Sequence, residues 1–356
     1  MPSFLSIADQ CRRQADWCER LGSPLYSHLL SRCADDYEAG GDIRNLLQSH
    51  EKDDEASVLP LRFMRAVHRL VLEGQLADLA KFYPSVGGIV ELNGAWVTFK
   101  RAVKEHNESL GRLIEKPLQT NEVGRSGSLL GGFGLIAEQT QLPLRLLEVG
   151  ASAGLNLRWD QYRYKWLGGT WGDAASPVRL ENVFIDGAPF LPSTIKVVER
   201  AGCDLFPIDI NSNSGILTLL SSTWADQLDR IRRLEAAIEI ARAIPCLIEK
   251  ANGADWIEAC LKNNRSGAVT VVFHSAVWHY LSESEQQRVI AAIEDAAKRA
   301  SQRAPMAWLS MEAVNKRFEI RLRIYPGFQE QIIATSSAHA PSVRWLLKPP
   351  ITEEIE

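Results

Sequence analysis

Residues 144–156 read Leu-Arg-Leu-Leu-Glu-Val-Gly-Ala-Ser-Ala-Gly-Leu-Asn, and their types and spacing suit ligand chemistry. A short apolar strand, Leu144 to Val149, carries a carboxylate, Glu148, near its C-terminal end. A loop of small residues follows, Gly150-Ala151-Ser152-Ala153-Gly154, and Leu155-Asn156 has the look of a helix start. In a parallel α/β sheet, ligands bind beyond the carboxyl ends of the strands. Glycines there let the backbone turn sharply and come close to a ligand. The Gly-x-x-x-Gly spacing differs from the Gly-x-Gly-x-x-Gly of dinucleotide pyrophosphate sites. A carboxylate two residues ahead of the first glycine repels a phosphate. It favours a cation, such as a ligand bearing an α-ammonium and a sulfonium. The plainer alternative is an ordinary strand-to-helix turn with an incidental glutamate.

That charge pattern is the one S-adenosylmethionine (SAM) presents. The segment resembles the first motif of class I SAM-dependent methyltransferases, whose pattern is strand, acid, x, then a glycine-rich turn. The rest of the chain has to supply elements that position such a motif.

Bulk properties are those of an ordinary globular protein. The chain has 356 residues, 46% hydrophobic and 24% charged, enough for two domains or one with a large extension. A net charge of −4 gives no global reason to bind nucleic acid or an acidic membrane. The start, Met1-Pro2-Ser3-Phe4-Leu5, lacks the basic and apolar regions of a secretory signal, and no apolar run is long enough for a membrane span. Six cysteines show no Cys-x-x-Cys pairing, so free thiols in a reducing cytoplasm are expected and a zinc site is not.

Residues 1–118 read as an all-α domain, a helical cap. Met64, Val67 and Val71 recur at helical spacing until Gly74 stops the pattern. Phe99, Val103, His106, Leu110 and Leu113 fall on one helical face, where His106 reads as a packed side chain. The polar stretch 117–128 reads as a loop that either caps the apolar helix at 129–139 or walls a pocket. From residue 144 onward, strands and helices alternate, as in a mostly parallel sheet with helices on both faces. Strands are expected at 144–149, within 195–204, at 245–249, 269–274 and 306–311, with helices at 225–243 and 284–299. Alternating aromatics around Gly168-Gly169 predict a β-hairpin inserted near 160–190. Two antiparallel strands, 319–325 and 329–336, would close the sheet. The fold class is therefore α/β: a Rossmann-like class I methyltransferase sheet over 119–356, with a parallel core and an antiparallel C-terminal pair, preceded by the helical domain.

Several stretches together resemble an uncharacterised bacterial family, a domain of unknown function with a methyltransferase-like C-terminal half. They are Gln119-Thr120-Asn121-Glu122-Val123-Gly124-Arg125, Leu147 to Leu157 with Asp160 and Tyr162-Arg163-Tyr164, and Arg200 to Pro207 with Asp209. Trp224-Ala225-Asp226-Gln227 and Phe273-His274-Ser275-Ala276-Val277 with Tyr280 complete the set. The chain departs from the pattern at Ala251-Asn252-Gly253, where Gly-Asp-Ala is usual.

The resemblance to methyltransferases implies roles. Glu148 would favour the cationic end of SAM, with Ser152 in the same loop. Gly150 and Gly154 would leave room for its backbone-like portion, and Asn156 would bond its carboxylate. Asp204, ending the second strand, would accept from the ribose hydroxyls. Asn252 and Asp255 are candidates for the adenine edge, and Gln119, Asn121 and Arg125 for closing the pocket. His274, Ser275 and Tyr280 follow the fourth strand, where the acceptor is expected, with His274 as the base. Trp159, Tyr164, Trp166 and Trp171 form either an apolar wall or ordinary packing. Methyl transfer asks little acid–base chemistry, because the sulfonium is already activated, so the sequence names no acceptor.

The function expected is a SAM-dependent methyltransferase acting on a small molecule in the cytoplasm, with no metal. The alternative is a SAM- or nucleoside-binding protein without turnover whose helical domain serves interaction. A nicotinamide-dependent oxidoreductase is disfavoured by the missing Gly-x-Gly-x-x-Gly and the acid before the glycine. A metal hydrolase is disfavoured because no His/Asp cluster has ligand spacing.

Overall fold

A computed structural model describes residues 5–315, 317–339 and 342–347, so residues 1–4, where a leader would begin, lie outside the described residues. The chain divides into two compact units: Met1–Thr120 with Ile208–Leu234, and Asn121–Pro207 with Glu235–Glu356. No helix of the described residues is long and apolar enough to cross a membrane.

The first unit is helical. Its helices are Ile7–Arg20, Pro24–Glu38, Asp42–Leu47, Leu59–Leu72, Ala77–Ala80, Leu92–Glu105, Asn107–Ile114 and Asn213–Ser221. The expected helix around Met64, Val67 and Val71 buries all three. The stripe through His106 is two helices, because the chain kinks at His106, which ends one and precedes the next. The segment 208–234 joins this unit through side chains no local pattern announces. Asp226 accepts from Ser23 Oγ at 2.6 Å and from the Leu25 amide at 3.0 Å. It thereby satisfies an amide at the start of helix Pro24–Glu38, an end the sequence cannot cap from Ser23 alone. Gln227 donates to Leu21 O at 2.6 Å, and Trp224 packs on Tyr26 with centroids 6.0 Å apart. His68 donates to Ser221 O at 3.2 Å while its other nitrogen meets Ser85. Burial pushes the His68 ring down to about 4, so it is neutral packing. The motif Trp224 to Gln227 is thus a structural lock.

The second unit is built on strands β1 Leu144–Val149, β2 Arg163–Trp166, β3 Gly169–Trp171, β4 Arg179–Leu180, β5 Phe184–Asp186, β6 Val197–Asp204, β7 Leu247–Lys250, β8 Val269–Ser275, β9 Met306–Val314, β10 Arg317–Tyr325, β11 Phe328–Ser336 and β12 Val343–Trp345. Nine form one sheet in the order β5-β12-β11-β10-β9-β8-β1-β6-β7. The five strands from β7 to β9 are parallel; β10, β11 and β12 continue antiparallel, and β5 pairs with β12 in parallel. The closing pair expected from the sequence is therefore extended by two short strands. The aromatic hairpin is present as β2–β3, with Tyr164 opposite Trp171 and β4 added beside β2.

The pleat assigns each side chain of the central strands to one face or the other. Leu147, Val149, Val272 and Cys203 share a core with Ile257 of helix Gly253–Cys260 and with Val289, Ile293 and Ala296 of helix Glu283–Lys298. On the opposite face lie Leu146, Glu148, Val271 and Phe273, with Glu148 paired to Phe273 and Gly202 in register. Helix Arg125–Thr140, which starts earlier than the sequence suggested, covers that face. Its Gly131 and Gly132 leave no room for a Cβ beside Trp345 and Leu309. An aromatic column completes it: Phe273 is edge-on to Phe133 (5.3 Å), Phe133 stacks on Trp159 (4.3 Å), and Trp159 on Trp171 (5.5 Å). Trp159, Tyr164 and Trp171 are thus core packing, each buried, and not a pocket wall.

Candidate functional site

Strand order in the parallel core reverses between β1 and β8: the chain leaves β1 toward β6 and β7 on one side and returns to β8 and β9 on the other. Ligands in open α/β sheets bind in the crevice outside the carboxyl ends of strands at such a switch point. Glu148 is the penultimate residue of β1 there. Its carboxyl is buried, 2% exposed, and Oε2 has no hydrogen-bond partner among the described residues. Burial pushes this carboxyl well above the ordinary range; Arg158 and Arg125 oppose the shift and Asp204 adds to it. A buried oxygen without a partner costs about 1–3 kcal/mol.

The glycine-rich loop has left-handed backbone at Gly150 (φ 70°), Ser152 (φ 53°) and Gly154 (φ 69°). A Cβ on Gly150 would lie 2.3 Å from Val277 Cγ2, and one on Gly154 would lie 2.6 Å from Ile248 Cδ1. The room expected for a ligand at these glycines is therefore taken by two protein side chains. Ser152 is buried and its Oγ is unpartnered, while its amide donates to Asp204 Oδ2 at 2.9 Å. Asp204 accepts from the Phe206 amide at 2.8 Å through Oδ1, so each of its oxygens already takes one amide.

Other expected ligand contacts brace the loop. Asn121 accepts from the Leu155 amide at 2.8 Å. Asn156, buried, accepts from Ser126 Oγ at 2.7 Å and donates to Glu122 O at 3.4 Å, so its amide faces helix Arg125–Thr140 instead of a ligand carboxylate. Arg125 reaches the Ser275 carbonyl at 3.1 Å and the Ala338 carbonyl at 3.4 Å. Asn252 is the N-cap of helix Gly253–Cys260, accepting from the Ala254 amide at 2.9 Å and donating to Glu285. That capping consumes the groups expected at an adenine edge. Asp255 pairs with Arg288 at 2.7 Å in an exposed bridge. Gln119 falls in the helical unit.

The end of β8 faces the other way. His274 follows Phe273 and so projects from the face opposite Glu148, toward helix Glu283–Lys298. Its Nδ1 lies 2.7 Å from Glu312 Oε1, and Trp308 Nε1 donates to its Nε2 at 3.1 Å. The indole N–H makes Nε2 an acceptor, which leaves Nδ1–H to donate to Glu312. The ring stacks on Trp278, 5.0 Å between centroids. Both nitrogens of the expected base are engaged inside the protein. Glu312 also accepts from the amides of Val277 (3.2 Å) and Trp278 (3.3 Å). Burial raises this carboxyl, but the bond from His274 and the two amides outweigh burial, and the pKa lies below the ordinary value. Ser275 is buried, and Tyr280 is exposed beyond the same loop.

Sequence reasoning missed two residues at the centre of this region. Arg158 is 2% exposed and donates only to backbone carbonyls: Gly154 at 2.6 Å, Ile244 at 2.9 Å and 3.1 Å, and Ala241 at 3.4 Å. It joins the glycine-rich loop to the C-terminal end of helix Leu228–Ala243, where the helix dipole favours a cation. Its signal was an arginine between Leu157 and Trp159 just after the glycine-rich loop. Glu312 likewise was a lone acid after the apolar strand 306–311.

Residues 8–345 match the model of the family described as "Uncharacterized protein conserved in bacteria (DUF2332)", and the chain belongs to that family. No curated protein and no solved structure matches it.

Proposed function

We propose that this chain binds SAM at the β1/β8 switch point and acts as a methyltransferase on a small molecule. The observation that carries the reading is the unpartnered buried oxygen of Glu148 at that position. A cation with N–H donors would satisfy it and would favour its ionised form, relieving the penalty that burial imposes. Ser152, whose Oγ is also unpartnered, adds an acceptor in the adjoining glycine-rich loop. SAM would supply a methyl group already activated by its sulfonium. The protein's part would be to bind, orient and exclude water.

The engagement of both His274 nitrogens favours, as second reading, binding of a SAM-like ligand without turnover. Calorimetric titration with S-adenosylhomocysteine and SAM, beside NAD, tests the first step. Micromolar binding to the adenosyl ligands, lost in Glu148→Ala, is the expected result. Binding to neither would overturn both readings, and binding without methyl consumption across an acceptor screen would select the second.

A further inference from the structure

We infer that Glu312 is a positioning residue that holds the loop after β8, Ala276 to Leu281, closed over the glycine-rich loop, and that this closure sets access to Glu148. The last clause rests on the proposed function; the first does not.

The turn out of β8 is made by Ala276 at φ 51°, a conformation an alanine does not adopt without support. The support is specific. The Ala276 amide donates to Met311 O at 2.9 Å. The next two amides, Val277 and Trp278, donate to the two oxygens of Glu312, which sits one residue further along β9. His274 Nδ1 adds a third donor to the same carboxylate. Gln286 completes the arrangement from helix Glu283–Lys298, donating to Trp278 O at 2.9 Å and Leu281 O at 3.1 Å.

What the loop covers follows from Gly150. Val277 rests so closely on that glycine that no Cβ fits between them, and Gly150 is two residues from Glu148. Leu281 lies 3.9 Å from the Cβ position of Gly253 at the start of helix Gly253–Cys260. Entry to the buried Glu148 oxygen past Gly150 would then require Val277 to move. The carboxylate that fixes Val277 therefore governs the opening, although it lies on the opposite face of the sheet from Glu148.

A glutamine at position 312 keeps the size but has one acceptor oxygen instead of two, with an NH2 where one donor now binds. Hydrogen exchange followed by mass spectrometry or NMR, with stopped-flow binding of S-adenosylhomocysteine, tests the inference. In the wild-type protein the Val277 and Trp278 amides should be protected to the degree of the β8–β9 ladder; free exchange there would overturn the proposal with no variant needed. In Glu312→Gln those two amides should exchange at least about tenfold faster while β1 and β6 amides are unchanged. An increase spread evenly over the sheet would mean a merely structural role and would overturn it. Association and dissociation of S-adenosylhomocysteine should both accelerate, with less change in Kd. If the ligand does not bind the wild-type protein, the proposed function fails and the exchange result still decides the role of Glu312. If it binds and both rates are unchanged in the variant, the inference about access fails and the proposed function stands.

Discussion

Two glutamates close the carboxyl ends of this sheet, one on each face, and burial acts on them in opposite ways. Glu148 has an oxygen with no partner, and its carboxyl is driven up toward the neutral form. Glu312 collects one imidazole and two amide donors, and its carboxyl is held below the ordinary value. Desolvation is the largest single effect on both, so hydrogen bonding to the charged form decides the sign. The lesson is functional. A satisfied buried acid is scaffold, and an unsatisfied one at a topological switch point is where a ligand has something to supply.

The largest effect that would break this contrast is on stability. Glu312→Leu leaves the His274 N–H and two amides without an acceptor and should cost about 3 kcal/mol. A denaturant midpoint equal to that of the wild type would show that the three bonds carry no net stability. Glu148→Gln should do the reverse. It removes a carboxyl the fold forces toward neutrality and should stabilise the protein at neutral pH by on the order of 1 kcal/mol. The same substitution should abolish binding of a cationic adenosyl ligand, so stability and affinity move in opposite directions. Loss of both would make Glu148 an ordinary core residue.

Unfolding free energy against pH sharpens the comparison. The ordinary value for both carboxyls is 4.5. Glu148 is raised in the folded protein, so its contribution is fully present below 4.5 and is lost as pH rises toward its folded value. Glu312 is lowered, so its contribution is present above 4.5 and is lost as pH falls through its folded value. Glu148→Gln should flatten the first slope and leave the second, and parallel curves for wild type and variant would refute the assignment. The smallest effect concerns Ser152, held at φ 53°. Ser152→Gly should raise stability by about 0.5 kcal/mol by relieving that backbone. A drop in thermal midpoint would mean that the loop needs the serine for packing.

Much of the sheet was legible because its signals are local. Continuous apolar runs marked β1, β8 and β9, and alternating aromatics marked the β2–β3 hairpin. The candidate site was legible only as a position. The Glu148 segment was found, but Gly150 and Gly154 turned out to admit Val277 and Ile248. Asn252, Asn156 and Asn121 turned out to satisfy backbone or helix groups. An amide side chain in a sequence carries no mark of which donor or acceptor it will meet, because its partners lie 34 residues away for Asn121 and Asn156.

The sequence by itself determined the alternation of strands and helices, the acid before a glycine-rich turn and membership of a bacterial family, since all three are written in neighbouring residues. Only the tertiary structure decided that residues 208–234 belong with the helical unit, where Asp226 serves a helix start some two hundred residues away in the chain. Only the pairing of β8 with β1 and β9 put His274 on the face opposite Glu148 and beside Glu312. The physical reason is the same in each case. Hydrophobic periodicity is a property of one segment, whereas the satisfaction of a buried polar group is a property of whatever the fold brings next to it.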